Sequence, residues 1–311
     1  MKKINSAEIK DYANKLGADL VGISSADVLN SYPPDPNWPQ TPARIWKECR
    51  SVIVLAKRIP WGVFRADDRT AKLYPPHQVM QRLDQISLDM VYFLEDQGCH
   101  AFPVPQQFTD TKMKRGSYGS LSLRHAAVEA GLGTLGLNLN LITPQFGPRV
   151  YLSAVLVDID LDPDPRLTKR QCLGISCARC LLACPADAIE HWGINKRSCS
   201  TEAQPFGISS IIRFISHLLK TNVSIDLSAA EVGTKIADFW QALRVGPGAY
   251  AGCLHCMEVC PVGQDYRSHM SYMGIPVSES KKKKKDAMYE QEKDGQSIAG
   301  LEKSRRWIGE G

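Results

Sequence analysis

Gln171-Cys-Leu-Gly-Ile-Ser-Cys177-Ala-Arg-Cys180-Leu-Leu-Ala-Cys184-Pro185 is a run of four cysteines closed by a proline. It is answered further along by Cys253-Leu-His-Cys256-Met-Glu-Val-Cys260-Pro261. As spacings, the first run is C-x4-C-x2-C-x3-C-P and the second is C-x2-C-x3-C-P. Cys199, between them, is the outlying first member that the second run lacks, so eight cysteines form two sets of four.

The first spacing is one variable gap away from the C-x2-C-x2-C-x3-C-P run of bacterial two-cluster ferredoxins. Three closely spaced cysteines bend the backbone so that their thiolates converge on one cubane, and the fourth, before the proline, reaches the other cluster. This logic assigns Cys172, Cys177, Cys180 and Cys260 to one 4Fe-4S cluster and Cys184, Cys199, Cys253 and Cys256 to a second. Structural zinc sites also use C-x2-C pairs. Two Cys-Pro endings and a three-plus-one count in both halves favour two 4Fe-4S clusters, close enough for electrons to pass between them.

The chain has 311 residues, room for two domains by the usual prior of about 100–200 residues each. We expect an α/β domain over 1–165, the cluster module over 166–269 with a helical insert at 200–252, and a charged tail over 270–311. The hydrophobic share is 43%, the charged share 23% and the formal net charge +5, partly from the run Lys281 to Lys285. A balance this mild permits a weak polyanion contact without requiring one. The amino terminus, MKKINSAEIKDYANK, lacks an apolar signal core and twin arginines, and no run reaches the ~18 apolar residues of a membrane helix. Ten cysteines in that setting read as metal ligands and place the protein in the cytoplasm.

Along the chain, Ser6 is the expected cap of a helix whose Ile9, Tyr12, Ala13 and Leu16 share a face, with Gly17 as its stop. A strand from Asp19, a proline-rich loop over 32–42 flanked by Trp38 and Trp46, a buried strand from Ser51, a helix from about His77 to Gln97 and a strand from His100 follow. That order is an α/β layer protein. Next, a short helix (121–130) runs into Gly131, Gly133 and Gly136, then into strands around Leu139 and Val150. Such glycines let backbone approach a bulky ligand, and with Asn138 and Asn140 they are the candidate cofactor-binding residues. Helix-then-glycine reverses the strand-glycine-helix order of a dinucleotide fold, so that reading fails its context test.

The segment AGLGTLGLNLNLITPQFGPRV, running through VLVDIDLDPD into the cysteine motif, resembles the cobalamin-dependent iron-sulfur reductases, the reductive dehalogenases and epoxyqueuosine reductases. It is most similar to the dehalogenase side, while ANKLGADLVGIS and ECRSVIVLA are similar to both. The resemblance implies a nitroreductase-like α/β domain holding cobalamin or another corrinoid, followed by the ferredoxin-like module that reduces it. No D-x-H-x-x-G motif is present to supply a lower-ligand histidine, so base-off binding is expected.

Two departures bear on the substrate. Where epoxyqueuosine reductases carry a proton-donating aspartate, thirteen residues before Ala130, this chain has Ser117, with Tyr118 beside it. The C-terminal helical-repeat domain that helps grip tRNA in that family is replaced by a lysine-rich tail. Respiratory dehalogenases use a tyrosine donor, which makes Tyr118 the leading catalytic acid. A tyrosine is protonated at neutral pH, and Lys112, Lys114, Arg115 and Arg124 are near in sequence. Asp110 is the runner-up, and Arg149 is the candidate for binding a substrate anion. His125 reads as a structural histidine, His255 as a cluster neighbour, and Cys49 and Cys99 as buried small residues. Helices are expected over 208–220 and 229–243, and KKKKKDAMYEQEKDGQ reads as a solvated tail or exposed helix, with Trp307 able to dock back.

The expected function is a corrinoid-dependent reductase that cleaves a carbon-heteroatom bond, carbon-halogen first, in a small organic substrate. It would draw on an external low-potential donor of ferredoxin or flavodoxin type, without tRNA as partner. The alternatives are an electron-transfer protein that reduces a partner's corrinoid and an epoxyqueuosine reductase acting on tRNA.

Overall fold

The computed structural model describes residues 4–68, 72, 74–104, 106, 118–204, 215–216, 219–220, 253–266 and 277–310. The chain opens with α1 (Ser6–Leu16), β1 (Leu20–Ser25), α2 (Ala26–Ser31), α3 (Pro42–Ile45), β2 (Ser51–Arg58), α4 (Trp61–Arg65), α5 (Tyr74–Asp96) and β3 (Ala101–Val104). Then come α6 (Leu123–Glu129), the short pair β4 (Thr134–Leu135) and β5 (Leu141–Ile142), and β6 (Val150–Val157). After a 3-10 turn at Gly174–Ser176 follow α7 (Arg179–Ala183), β7 (Ile189–Glu190), β8 (Gly193–Ile194) and α8 (Lys196–Ala203). The last described elements are α9 (His255–Glu258), α10 (Glu279–Lys293) and α11 (Ala299–Ile308).

Asn5, not Ser6, caps α1. Its extended backbone lets the side chain accept from the Glu8 amide at 3.0 Å, while the Glu8 carboxylate accepts from the Asn5 amide at 3.2 Å, a reciprocal capping box. Ser6 is already helical and its hydroxyl donates to the Asp162 carbonyl. Gly17 ends the helix at φ 100°, as expected from its freedom in the left-handed region.

The sheet has the order β1-β2-β6-β3, with every pair antiparallel. Ile53 stands opposite Ile23 on one side and Val155 on the other, so β2 is interior and its first six residues are buried. Its alternating side chains feed two cores. Ile53 and Leu55 meet α1 and α5, where Ile9, Leu83, Ile86, Met90 and Leu94 are fully buried. Each such side chain contributes roughly 1.5–3 kcal/mol by leaving water. Val52, Val54 and Ala56 face the opposite core, built with α6, the cysteine segment (Ile175, Ala178, Leu181, Trp192) and the C-terminal Met288 and Trp307. Trp46 packs against this second core, in keeping with an anchoring role.

One expectation changes. The strand expected around Leu139 is the β4–β5 hairpin, because Leu139 itself occupies a left-handed turn at φ 55° between the two strands. Of the two readings of the lysine-rich stretch, solvated tail or exposed helix, the structure takes the helix: α10 is largely exposed and buries Met288, and α11 docks back through the buried Trp307 and Ile308. Glu129 of α6 accepts from Arg306 Nε at 2.7 Å, Arg306 Nη2 at 2.9 Å and Trp307 Nε1 at 2.9 Å, which docks α11 onto the first half of the chain. Asp110, Lys112, Lys114, Arg115, Ser117 and most of the expected insert helices lie outside the described residues.

Candidate active site and cysteine centres

The eight motif cysteines gather as two fours. The 3-10 turn and α7, entered through Ala178 at φ 45°, swing Cys172, Cys177 and Cys180 to one side of a small cavity whose other wall includes Cys260 and Pro261. Burial pushes the Cys180 thiol well above its ordinary value, and Cys256, Cys172, Cys260 and Cys177 push it further. Burial likewise raises Cys260 to about 12. In the other four, burial raises Cys253 to about 11, with added repulsion from Cys184 and Cys199. Cys256 is raised by burial and then by Cys253, Cys199 and Cys184. Cys180 of the first four feels Cys256 of the second, so the two centres are neighbours.

The turn after β4 serves both. Leu137 N–H donates to Cys172 Sγ at 3.4 Å and Asn140 Nδ2 to Cys256 Sγ at 3.6 Å. Further amides reach Cys172 from Gly174 and Cys184 from Ala188. Among the described residues no three His, Cys, Asp or Glu form a group for a single metal ion. The donor set is thiols lining cavities, with amides directed at the sulfurs. Cys49 and Cys99 are buried outside both fours, and none of the ten cysteines is in a disulfide.

The glycines of the candidate cofactor segment are closely packed. A Cβ on Gly131 would stand 2.6 Å from the Pro165 carbonyl oxygen and one on Gly133 2.3 Å from that of Ile142. A Cβ on Gly136 would press on the Ile142 side chain at 2.8 Å. They let the chain fold tightly on itself, a use of the glycines that the sequence did not show. Asn138 and Asn140 do line a cavity of about 340 Å³ together with Leu141, Tyr151, Cys199, Cys253 and Cys256. The Tyr151 hydroxyl is buried there without a hydrogen-bond partner. Burial, followed by the proximity of Cys256, keeps that phenol protonated. Sequence reasoning missed Tyr151, whose only signal was a polar-tipped aromatic at the head of an apolar strand.

A second cavity of about 430 Å³ adjoins the first, sharing Gln106, Leu123, Arg124, Ile194 and Lys196, and contains Tyr118. Lys196 Nζ lies 3.3 Å from the centre of the Tyr118 ring. Lys196 and Cys199 sit one turn apart on α8, so one helix carries both the tyrosine's cation and a cysteine of the second four. His125 lines the same cavity, bonded to Ser122 Oγ at 2.6 Å and edge-on to Trp307. Burial, then Arg124, Lys196 and Lys303, lower its pKa to about 3, so it is a neutral structural histidine.

Arg149 is not placed to bind a substrate anion. Its fully buried guanidinium donates to the carbonyls of Cys260 at 3.0 Å and Val262 at 2.9 Å and pairs with Asp265 at 2.7 Å. Gly147 and Gly263 permit this closeness, since a Cβ on Gly147 would sit 2.0 Å from the Val262 oxygen. The backbone bonds from Gln264 to Pro144 and Asp265 to Gln145 complete a brace between the turn before β6 and the second cysteine run. His255 opens α9 beside the second four.

No family model matches the chain. Over 288 residues it is 25% identical to the epoxyqueuosine reductase of Bacillus subtilis, a match covering 84% of this chain and 65% of the relative. Over 234 residues it is 26% identical to the tetrachloroethene reductive dehalogenase of Desulfitobacterium hafniense, covering 61% of this chain and 39% of that one. The chain is a relative of both kinds of reductase. It thus spans under two thirds of the length of either. The fold is shared with a solved epoxyqueuosine reductase bound to a modified tRNA-Tyr stem loop (TM-score 0.50, 22% identity, 97% of this chain and 78% of that one). It is shared too with a reductive dehalogenase structure described in terms of B12-dependent dehalogenation (TM-score 0.52, 16% identity, 96% and 38%). No helix among the described residues is long and apolar enough to cross a membrane.

Proposed function

We propose that this protein is a corrinoid-dependent oxidoreductase in which a nitroreductase-like domain and a ferredoxin-like module with two 4Fe-4S clusters together cleave a carbon-heteroatom bond. The observation that carries this reading is α8, which places Lys196 over Tyr118 and Cys199 on the cavity shared with Cys253 and Cys256. Buried thiols that oppose each other's ionisation fit a cationic iron centre, which takes up thiolates outright. The lining of the cavity, apolar side chains with a few hydrogen-bonding groups, is of the kind that one face of a corrinoid would meet, and the cavity continues into the adjoining one that holds Tyr118. Asn138 and Asn140 stand on its wall, and the unpartnered Tyr151 hydroxyl would otherwise cost about 1–3 kcal/mol.

A bound corrinoid would supply a strongly reducing cobalt centre. The protein's part is to wall the cavity with Leu141, Val150 and Leu152, to feed electrons through the paired cysteine centres, and to deliver a proton from Tyr118. Lys196 sets a positive charge against the group that loses that proton.

Reductive dehalogenation of a small molecule is the favoured chemistry, since Tyr118 stands beside the position of the epoxyqueuosine reductases' aspartate. Epoxyqueuosine in tRNA is the second reading, favoured by the longer match, 84% of this chain against 61%. Anaerobic purification with hydroxocobalamin, metal analysis and EPR tests the cofactor set. About eight irons and one cobalt per chain are expected. Eight irons without retained cobalt would leave only an electron carrier. Tyr118→Phe should keep both metals and lose about 10²–10⁴ in turnover, and full activity in that variant would remove Tyr118 from the chemistry.

A further inference from the structure

Five successive lysines, Lys281 to Lys285, occupy the first two turns of α10. That is the positive end of the helix dipole, where cations are least favourable, and their i,i+3 and i,i+4 neighbours repel. Helix stability therefore does not account for them, and packing accounts for only some. Lys281 Nζ donates to the Leu182 carbonyl at 3.4 Å, and Lys284 pairs with Asp187 at 3.2 Å and Glu190 at 3.7 Å. These contacts, Met288 in the core beside Ile175, Ala178 and Leu181, and Glu292 on Trp192 Nε1 at 2.8 Å, seat α10 along the segment carrying Cys177 and Cys180. Lys282 and Lys283 are exposed and Lys285 half-buried, and neither Lys283 nor Lys285 has an acidic partner among the described residues. Beside Cys172, Leu173 is 58% exposed, an apolar contact point next to the first four cysteines.

We infer that the lysine face of α10 is the docking surface for an acidic, low-potential electron-transfer protein, which delivers electrons to the centre held by Cys172, Cys177, Cys180 and Cys260. The inference rests on the cluster reading above. In each encounter one electron passes from the donor's reduced flavin or iron-sulfur centre, which is oxidised, to the cluster, which is reduced, with no bond made or broken. A small, charge-steered contact with one exposed apolar residue suits such transient redox pairs.

The test compares the holoprotein with Lys283→Glu/Lys285→Glu. Acidic residues favour this end of a helix, so the variant should fold. Stopped-flow bleaching of the clusters is followed with dithionite and with an acidic flavodoxin reduced to its hydroquinone. Flavodoxin affinity is measured in parallel by equilibrium titration at low and high salt. The variant should keep its iron content and dithionite bleaching, while flavodoxin rate and affinity fall about tenfold at low salt and converge on wild type in concentrated salt. Flavodoxin rate and affinity indifferent to both substitution and salt would overturn the inference. So would loss of tRNA binding with flavodoxin reduction unchanged, which would assign the face to nucleic acid. Failure of dithionite to bleach either protein would overturn the cluster reading itself, while the titration would still judge the docking surface.

Discussion

Replacing Arg149 by Met should damage the protein's frame before its chemistry. The guanidinium is fully buried and serves the carbonyls of Cys260 and Val262 together with the Asp265 carboxylate, which is itself 18% exposed. Methionine has similar length and no donors, so those acceptors would be left without their partner. Breaking a buried pair from one side costs about 3–5 kcal/mol. With unfolding entropy near 2.1 cal/mol/K per residue, a chain of 311 residues should then melt about 5–8 °C lower. Because the brace holds the backbone of Cys260, the same variant should release iron to a chelator faster than wild type. Thermal melting and chelator kinetics on anaerobic protein provide the two readouts, and Arg149→Lys should recover part of each. If Arg149→Met melted within about 1 °C of wild type, held its iron and only raised KM for an anionic substrate, the brace argument would fail and the arginine would be a substrate clamp.

Other consequences are as direct. Because the His125 pKa falls to about 3 in the fold from an ordinary 6.5, the unfolded chain binds the extra proton. Its contribution to stability is therefore complete above about pH 6.5 and is lost as pH falls toward 3, on the order of 1–2 kcal/mol at pH 5. The melting difference between wild type and His125→Gln, taken at pH 7.5 and pH 5, should shift in favour of the variant at low pH, and a pH-independent difference would contradict it. Glu129→Gln removes the charge that Arg306 pairs with and should weaken the docking of α11 by about 1.5–3 kcal/mol, seen as faster tryptic cleavage at Lys303, Arg305 and Arg306. Unchanged cleavage would show that Trp307 packing alone holds the helix. Cys256→Ala should lower bound iron by about four per chain while Cys49→Ser leaves it unchanged, and equal iron in both variants would contradict the division of the cysteines.

Much of the frame was legible in the linear chain because it depends on short-range rules. The run from Val52 to Ala56 is apolar without alternation, short and rich in β-branched residues, which together favour an interior strand, as β2 is. Gly17 stops α1 because few other residues accept its φ of 100°. The cysteine spacings suggest a partition, since local backbone geometry limits which thiols can converge; in the structure Cys180 lies near Cys256 as well as Cys172, Cys177 and Cys260, and Cys256 lies near Cys253, Cys199 and Cys184. What lay beyond the sequence were meetings made only by packing. Glycines near a suspected site carry no sign of which neighbours crowd them, and only the positions of Ile142 and Pro165 show how closely the chain packs on Gly131, Gly133 and Gly136. An arginine after a turn could bind an anion or brace a fold, and Asp265 with the Cys260 carbonyl decides for Arg149. Lys196 over Tyr118, the lone hydroxyl of Tyr151 and the buried Glu129 leave no spacing signature. They are contacts between segments far apart in the chain, set by how two cores close around one sheet.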